Sequence, residues 1–363
     1  MKKKIYINGR FLTQSVTGVQ RYAVEIVKTI DRLLSTGQID KERYQFVLLT
    51  PKKVNFSLCL DNITVRNVGR LKGHAWEQIE LPFFSYGSLL INLCNTASII
   101  KSKQILTIHD ASIEANKNNY SIVFRIWYKL LYRKLPFKTK KIITSSKFSK
   151  QELIKYFPIE KSQVRVIYLG IDHILRLKSR KTILEELDLI NKKFILAVSS
   201  INPNKNFIGI VDSLDFLDRE DVEVVIVGSK DNIIYKSTKL FTSEQIKLVG
   251  YIEDEGLKTL YEHAECFVYP SYYEGFGLPP LEAMSCGCPV IVSNRASLPE
   301  VLGASALYCN PESAIDIASR INEILNDRNL KQSLTKKGLE HSKQFTWEKC
   351  TLELFKEIEE VLK

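Results

Sequence analysis

The sequence predicts an α/β protein of two domains, each a parallel sheet covered by helices, and three observations predict it. Short β-rich runs alternate with helical patterns along the whole chain, the order that parallel sheets with helical crossovers require. The length of 363 residues exceeds what one ordinary core organises and suits two. The charge also changes sign part-way: residues 1 to 180 carry 32 Lys and Arg against 12 Asp and Glu, and residues 181 to 363 carry 20 against 29.

In chain order the strands of the first half are KIYIN, QFVLLT, ITVRNV, QILTIH and KIITSS. Those of the second are FILAVS, VEVVIVG, IKLVG, CFVYP and PVIVS. Between them GIDHILRLKSRKT carries the change of charge and precedes a fresh strand at Phe194. Domains are therefore expected over residues 1–175 and 190–345, with a last helix over 346–363. That helix has Leu352, Phe355, Ile358 and Leu362 at three- and four-residue steps, an apolar side that must pack on something. No internal repeat or low-complexity segment is evident.

Hydrophobic residues at 45% can fill both cores. No apolar run approaches the roughly 20 residues of a membrane span, and the MKKKIYING start lacks the apolar stretch of a signal peptide. A cytoplasmic location is expected. The seven cysteines (Cys59, Cys94, Cys266, Cys286, Cys288, Cys309, Cys350) are odd in number and lack metal-site spacing, and all are read as reduced and structural.

A first half so basic expects an anionic partner, either nucleic acid or an anionic membrane surface. The segment from Tyr120 to Lys141 has seven basic residues, no acidic ones, and Phe124, Trp127, Tyr128, Leu131, Tyr132 and Phe137 interleaved. That pattern fits a helix lying on lipid headgroups. RNA could use the same side chains, and a core helix with one charged face is the plain alternative.

The most informative stretch runs from Val268 to Val301, where Glu274 and Glu282 stand eight positions apart around a glycine-rich turn. CFVYP reads as a buried strand, EGFGLPP as the turn and LEAM as the start of a helix. The order places backbone N–H groups and a helix N-terminus at the carboxyl end of a strand, where phosphates and other anions are favoured. Gly275 and Gly277 let the main chain approach a ligand closely. An ordinary strand-turn-helix with a solvated glutamate at each end leaves the order of this string unexplained.

The string resembles the donor-site signature of the retaining glycosyltransferases of family 4, which have the GT-B fold. Other strings agree in order and spacing: TGVQRY from Thr17, AWEQIELPF from Ala75, LTIHDAS from Leu106, TSSKFSKQEL from Thr144, YLGID from Tyr168, NPNKNF from Asn202, GYIED from Gly250 and FTWE from Phe345. The resemblance implies two Rossmann-like domains whose sheets face an interdomain cleft, the first binding the acceptor and the second the nucleotide sugar. It also implies a C-terminal helix that crosses back to the first domain.

For the site, the resemblance implies that Glu274, with Gly275, Phe276, Gly277 and Leu278, holds the donor sugar. Glu282 would bind the nucleotide ribose, and Ile252 would lie against the base. Lys205 would neutralise the diphosphate, helped by N–H groups near Gly18, and His109 would hydrogen-bond the reacting sugar. Asn204 stands where members of the family commonly carry Arg. The other histidines, His74, His173, His263 and His341, gain no such support. No Asp-x-Asp triplet occurs, so neither a metal nor another cofactor is expected.

The implied activity is transfer of a hexose, mannose among the options, from a nucleoside diphosphate sugar to a glycan acceptor. That acceptor is expected to be a lipid-linked bacterial surface glycan such as O-antigen or capsule. A peripheral place on the inner face of the cytoplasmic membrane follows, through residues 120–141, with no nucleic-acid partner. A degenerate sugar-binding or scaffold subunit and a sugar-nucleotide epimerase of the same fold are the rival readings.

Overall fold

A computed structural model of the chain describes residues 2–117, 120–198, 203–219, 221–228 and 245–363. The chain divides into two compact units, one of Met1–Gly170 with Trp347–Lys363 and the other of Ile171–Thr346.

Unit 1 is built on seven strands: β1 Lys3–Asn8, β2 Tyr44–Thr50, β3 Thr64–Asn67, β4 Leu89–Asn92, β5 Gln104–Thr107, β6 Lys141–Thr144 and β7 Val164–Val166. Their order is β3-β2-β1-β4-β5-β6-β7, and every neighbouring pair is parallel. The central strands are buried apolar runs, as a sheet covered on both faces demands. The helix Gly18–Ser35 turns Tyr22, Ala23, Ile26, Val27, Ile30, Leu33 and Leu34 inward at helical spacing. The C-terminal helix Trp347–Leu362 packs in the same unit, with Trp347, Leu354, Phe355 and Ile358 buried. The Phe355 ring meets that of Tyr44 edge-on at 5.1 Å.

Unit 2 has six strands among the described residues: β8 Lys193–Val198, β9 Val222–Val227, β10 Ile246–Gly250, β11 Cys266–Tyr269, β12 Val290–Ser293 and β13 Leu307–Cys309. They are ordered β10-β9-β8-β11-β12-β13 and are again all parallel. Ile195, Ala197, Val224, Ile226, Val268 and Ile291 from the sheet join Ile317, Ile321 and Ile324 of the helix Ala314–Asn326 in one core. Each sheet runs outward both ways from its first strand, which is the Rossmann arrangement. The reversal falls between β1 and β4 in unit 1 and between β8 and β11 in unit 2.

Three strands lay outside the sequence expectation: β4 (LLIN), β7 (VRV) and β13 (LYC). Each is three or four residues long, too short for alternation to separate strand from helix. The cysteines are all free, but Cys59 is exposed, so the structural reading fails for that one: it sits in an irregular surface segment with no core to join.

Candidate functional site

Ligands of open α/β sheets bind beyond the carboxyl ends of the strands where the order reverses. In unit 2 those are β8 and β11, and their following loops carry Lys205 and Glu274. A short 3-10 turn, Pro203–Lys205, presents Lys205. Asn202, the first residue of its string, lies outside the described residues. The Tyr272 N–H donates to the carbonyl of Asn204 at 2.8 Å and ties the two loops together. Asn204 is itself buried, so the position where the family commonly has Arg holds a packed residue of the loop.

The Lys205 ammonium forms an ion pair with the Glu274 carboxylate and a 2.8 Å hydrogen bond with the Tyr269 hydroxyl. It also stands 5.1 Å from the centre of the Tyr269 ring. Burial by itself lowers the lysine's affinity for its proton, but the charges and bonds of Glu274 and Tyr269 outweigh it and hold the ammonium firmly charged. The same surroundings, burial first and the Glu274 charge second, push the Tyr269 hydroxyl far above its ordinary range. A fixed, partly desolvated cation of this kind suits an anionic ligand.

The turn after β11 is fastened from below by Ser297, whose Oγ donates to the Glu274 carbonyl at 2.9 Å. Gly277 has φ +100°, and a Cβ there would come within 2.7 Å of Leu298 Cδ2, so both conformation and space require glycine. It opens the helix Leu278–Ser285, which has prolines in its first turn. Pro279 and Pro280 carry no N–H, so the helix end offers fewer donors than the sequence argument assumed. Gly275, Phe276 and Leu278 are buried, and the Phe276 ring packs edge-on against Phe345 at 5.9 Å.

Glu282, on that helix, is anchored at both oxygens. His173 Nε2 lies 3.1 Å from Oε1, and the Tyr261 hydroxyl donates to Oε2 at 3.4 Å. The Tyr261 ring packs on Phe267 at 5.5 Å, and Phe267 stacks on Tyr269 at 5.7 Å. A row of three buried rings thus joins the Glu282 anchor to the Lys205 anchor. His173 corrects the sequence reading, which gave it no role; its tie to Glu282 is tertiary and leaves no trace in spacing. Ile252 follows the edge strand β10, two strands from β8. It lies over Gly256, where a Cβ would approach its Cγ2 to 2.8 Å.

In unit 1, Gly18 is the first residue of its helix, with the Thr17 N–H bonded to Gln20 Oε1 at 3.3 Å. His109 follows β5. Its Nε2 bonds the Leu93 carbonyl at 3.2 Å, and its ring meets Tyr22 edge-on at 4.8 Å. Burial pulls its pKa down to about 4, against the opposing effects of Asp110 and the Leu93 carbonyl. The ring is therefore neutral at pH 7, with its proton on Nε2 and Nδ1 left as an acceptor.

A buried polar network also missed by the sequence reading centres on Glu77. It accepts from Asn8 at 2.8 Å, Arg10 at 3.2 Å and Thr96 at 2.8 Å. Burial opposes ionisation of Glu77, yet His74, Arg10, Asn8 and Thr96 together hold its carboxyl below the ordinary range.

The segment 120–141 includes the helix Ile122–Lys134, and its aromatic residues divide between core and surface: Phe124 is 38% exposed and Phe137, just beyond the helix, 75%. Tyr128, Leu131 and Tyr132 are buried, and Tyr120 and Trp127 pack against the same core. Phe124 lies against Tyr128 with ring centres 4.4 Å apart. The solvent face also shows Ile122 (71% exposed), Val123 (79%), Ile126 (55%) and Leu130 (52%). Among the described residues no helix is long and apolar enough to cross a membrane. A surface pocket of about 980 Å³ beside the helix Arg328–Ser342 contains none of the candidate residues.

Comparison with known proteins follows the same division. The family model "Glycosyl transferases group 1" matches residues 179–341, and "Glycosyltransferase Family 4" matches residues 79–174. The chain is 35% identical over 261 residues to O-antigen chain mannosyltransferase B of Escherichia coli, covering 69% of this chain and 68% of that one. It is 28% identical over 289 residues to the serotype-specific mannosyltransferase WbdA of Escherichia coli, covering 74% of this chain but only 34% of WbdA. Among solved structures, Anabaena HepE in complex with UDP and glucose is similar over 99% of this chain and 100% of that one, with TM-score 0.75 and 16% identity.

Proposed function

The chain belongs to the group 1 glycosyltransferases of family 4 and has the GT-B fold, and from that premise we propose that it is a retaining hexosyltransferase. It takes a hexose, mannose by the names of its relatives, from a nucleoside diphosphate sugar and adds it to a growing bacterial surface glycan such as O-antigen. Unit 2 binds the donor and unit 1 the acceptor. The observation that carries this reading is the Lys205–Glu274 pair, which joins the loops after β8 and β11 where the strand order reverses.

Lys205, kept charged by its surroundings, meets the diphosphate and stabilises the charge that develops as it leaves. Glu274 and the turn Gly275–Leu278 receive the sugar hydroxyls, Glu282 the ribose, and Ile252 the base. His109, neutral with Nδ1 as acceptor, takes a hydroxyl of the reacting sugar, and N–H groups near Gly18 face the phosphates. The leaving phosphate accepts the acceptor's proton on the face of attack, so retention needs no covalent enzyme intermediate. Counter-charge from Lys205 makes a divalent metal unnecessary.

The acceptor is lipid-linked, and the exposed aliphatic face of Ile122–Lys134, flanked by Lys129, Arg133 and Lys138, rests on the anionic inner surface of the cytoplasmic membrane. A panel of GDP-mannose, UDP-glucose and a dTDP-sugar, read by thermal shift with and without chelator, tests the donor site. One sugar nucleotide should raise the melting temperature, and transfer from it should survive chelation. No shift from any of them overturns the donor-site reading, and activity lost to chelator and restored by magnesium overturns the metal-independent one.

A further inference from the structure

A glutamate on a helix samples many rotamers, and fixing it on a ligand costs side-chain entropy. Glu282 does not meet that cost at binding. Its carboxylate is largely buried, with Oε1 held by His173 Nε2 at 3.1 Å and Oε2 by the Tyr261 hydroxyl at 3.4 Å. The anchors come from two separate elements. Tyr261 is fully buried on the helix Asp254–His263, and His173 precedes the short turn Ile174–Arg176.

The His173 end is fixed in place as well. The Ile171 N–H donates to the Phe345 carbonyl at 3.1 Å, which pins the segment that carries His173. His173 is itself buried. A carboxylate oxygen accepts more than one hydrogen bond, so an anchored carboxylate can still receive two adjacent hydroxyls. Its orientation, however, is set by the anchors.

We propose that His173 is a positioning residue of the donor site: it fixes the Glu282 carboxylate so that the two oxygens together receive the 2′- and 3′-hydroxyls of a ribose, and so sets a preference for ribonucleotide over 2′-deoxyribonucleotide donors. The inference rests on the proposed ribose role of Glu282. It adds a residue to the site and a specificity that this residue controls.

The test is calorimetric titration of the whole protein with GDP, UDP and their 2′-deoxy counterparts. Variants are His173→Leu, His173→Gln, Glu282→Gln and the His173→Leu/Glu282→Gln pair. The parent should bind one ribonucleoside diphosphate at least tenfold more tightly than its deoxy form, because a hydrogen bond to a charged acceptor is lost. His173→Leu should weaken the ribonucleotide about tenfold and shrink that ratio towards one. His173→Gln, whose amide can still donate, should recover most of both.

The double variant should bind like Glu282→Gln alone, since His173 acts through that carboxylate. A purely structural histidine would lower the melting temperature and leave the ratio untouched. If the leucine variant does not fold, His173→Asn, polar but too short to reach Oε1, gives the same ratio. His173→Leu or His173→Asn with the parent's ratio, while Glu282→Gln loses it, overturns the positioning role and leaves the donor site standing. Glu282→Gln with the parent's ratio overturns the ribose role and the positioning role together, as does a parent that binds neither diphosphate.

Discussion

Replacing Lys205 by Met should expose how much of unit 2 depends on one ion pair. The lysine side chain is about one-fifth exposed and the Glu274 side chain one-tenth, so the pair is nearly desolvated. Removing the cation leaves the carboxylate with the Tyr269 ring and hydroxyl beside it and no counter-charge among the described residues. Breaking a buried pair from one side costs about 3–5 kcal/mol, and the residual exposure of Lys205 places this case near 3 kcal/mol. For a domain of this size that is roughly 6–12 °C of melting temperature.

Glu274→Gln added to Lys205→Met removes the stranded charge, and the double variant should regain most of the loss. The single variant should also respond to pH in a defined direction. A stranded carboxylate is relieved when it takes up a proton, so the variant's penalty is full at neutral pH and fades in acid. Scanning calorimetry follows both variants from pH 7 to pH 4.5. Activity should fall about 10²- to 10³-fold in both, whatever their stability, because the diphosphate loses its counter-charge in each. A Lys205→Met protein within about 0.5 kcal/mol of the parent, or a double variant no more stable than the single, refutes the reasoning.

His109 gives a second pH signature, of opposite sense. Its folded pKa of about 4 lies below the unfolded value, so its contribution is full above pH 6.5 and is lost as the pH falls towards 4, roughly 3 kcal/mol in all. His109→Gln should flatten that slope in acid unfolding curves, and an unchanged slope rejects the assignment. Glu77→Ala should destabilise unit 1 by about 3 kcal/mol or more, since it strands Arg10 in a buried network; a melting temperature equal to the parent's contradicts that. Ile122→Ser with Val123→Ser and Ile126→Ser should leave the melting temperature unchanged and reduce sedimentation with anionic vesicles, binding that weakens as salt rises. Parent-like sedimentation, or tight RNA binding by the parent in place of vesicle binding, removes the membrane assignment.

Sequence patterns located the long elements because their chemistry is local. Runs such as QFVLLT and VEVVIVG are β-branched, apolar and bounded by turn residues, and they appear as β2 and β9. LLIN and LYC are too short to carry a period, and only their place in the sheet makes them strands. On the helix Ile122–Lys134 apolar residues occur on both the buried and the exposed side. Tyr128 and Tyr132 go to the core, whereas Phe124 and Phe137 stay exposed with Ile122, Val123 and Ile126, a division that composition alone does not encode.

The candidate site divides in the same way. Lys205 and Glu274 can each be marked from the string around it, but that they touch is a fact of β8 lying beside β11. His173 and Tyr261 could not be marked at all. Each is an ordinary residue in its own string, and only the folded chain brings both to Glu282.

The central step is transfer of a sugar from a nucleoside diphosphate with retention at the anomeric carbon. The most direct measurement incubates the protein with a lipid-linked acceptor and the sugar nucleotide that raises its melting temperature most, an α-linked donor such as GDP-mannose, and reads the new linkage by NMR of its anomeric carbon. An α-linked product is expected, formed in chelator and abolished by Lys205→Met. A β-linked product, or the same product formed equally well by Lys205→Met, would contradict that expectation.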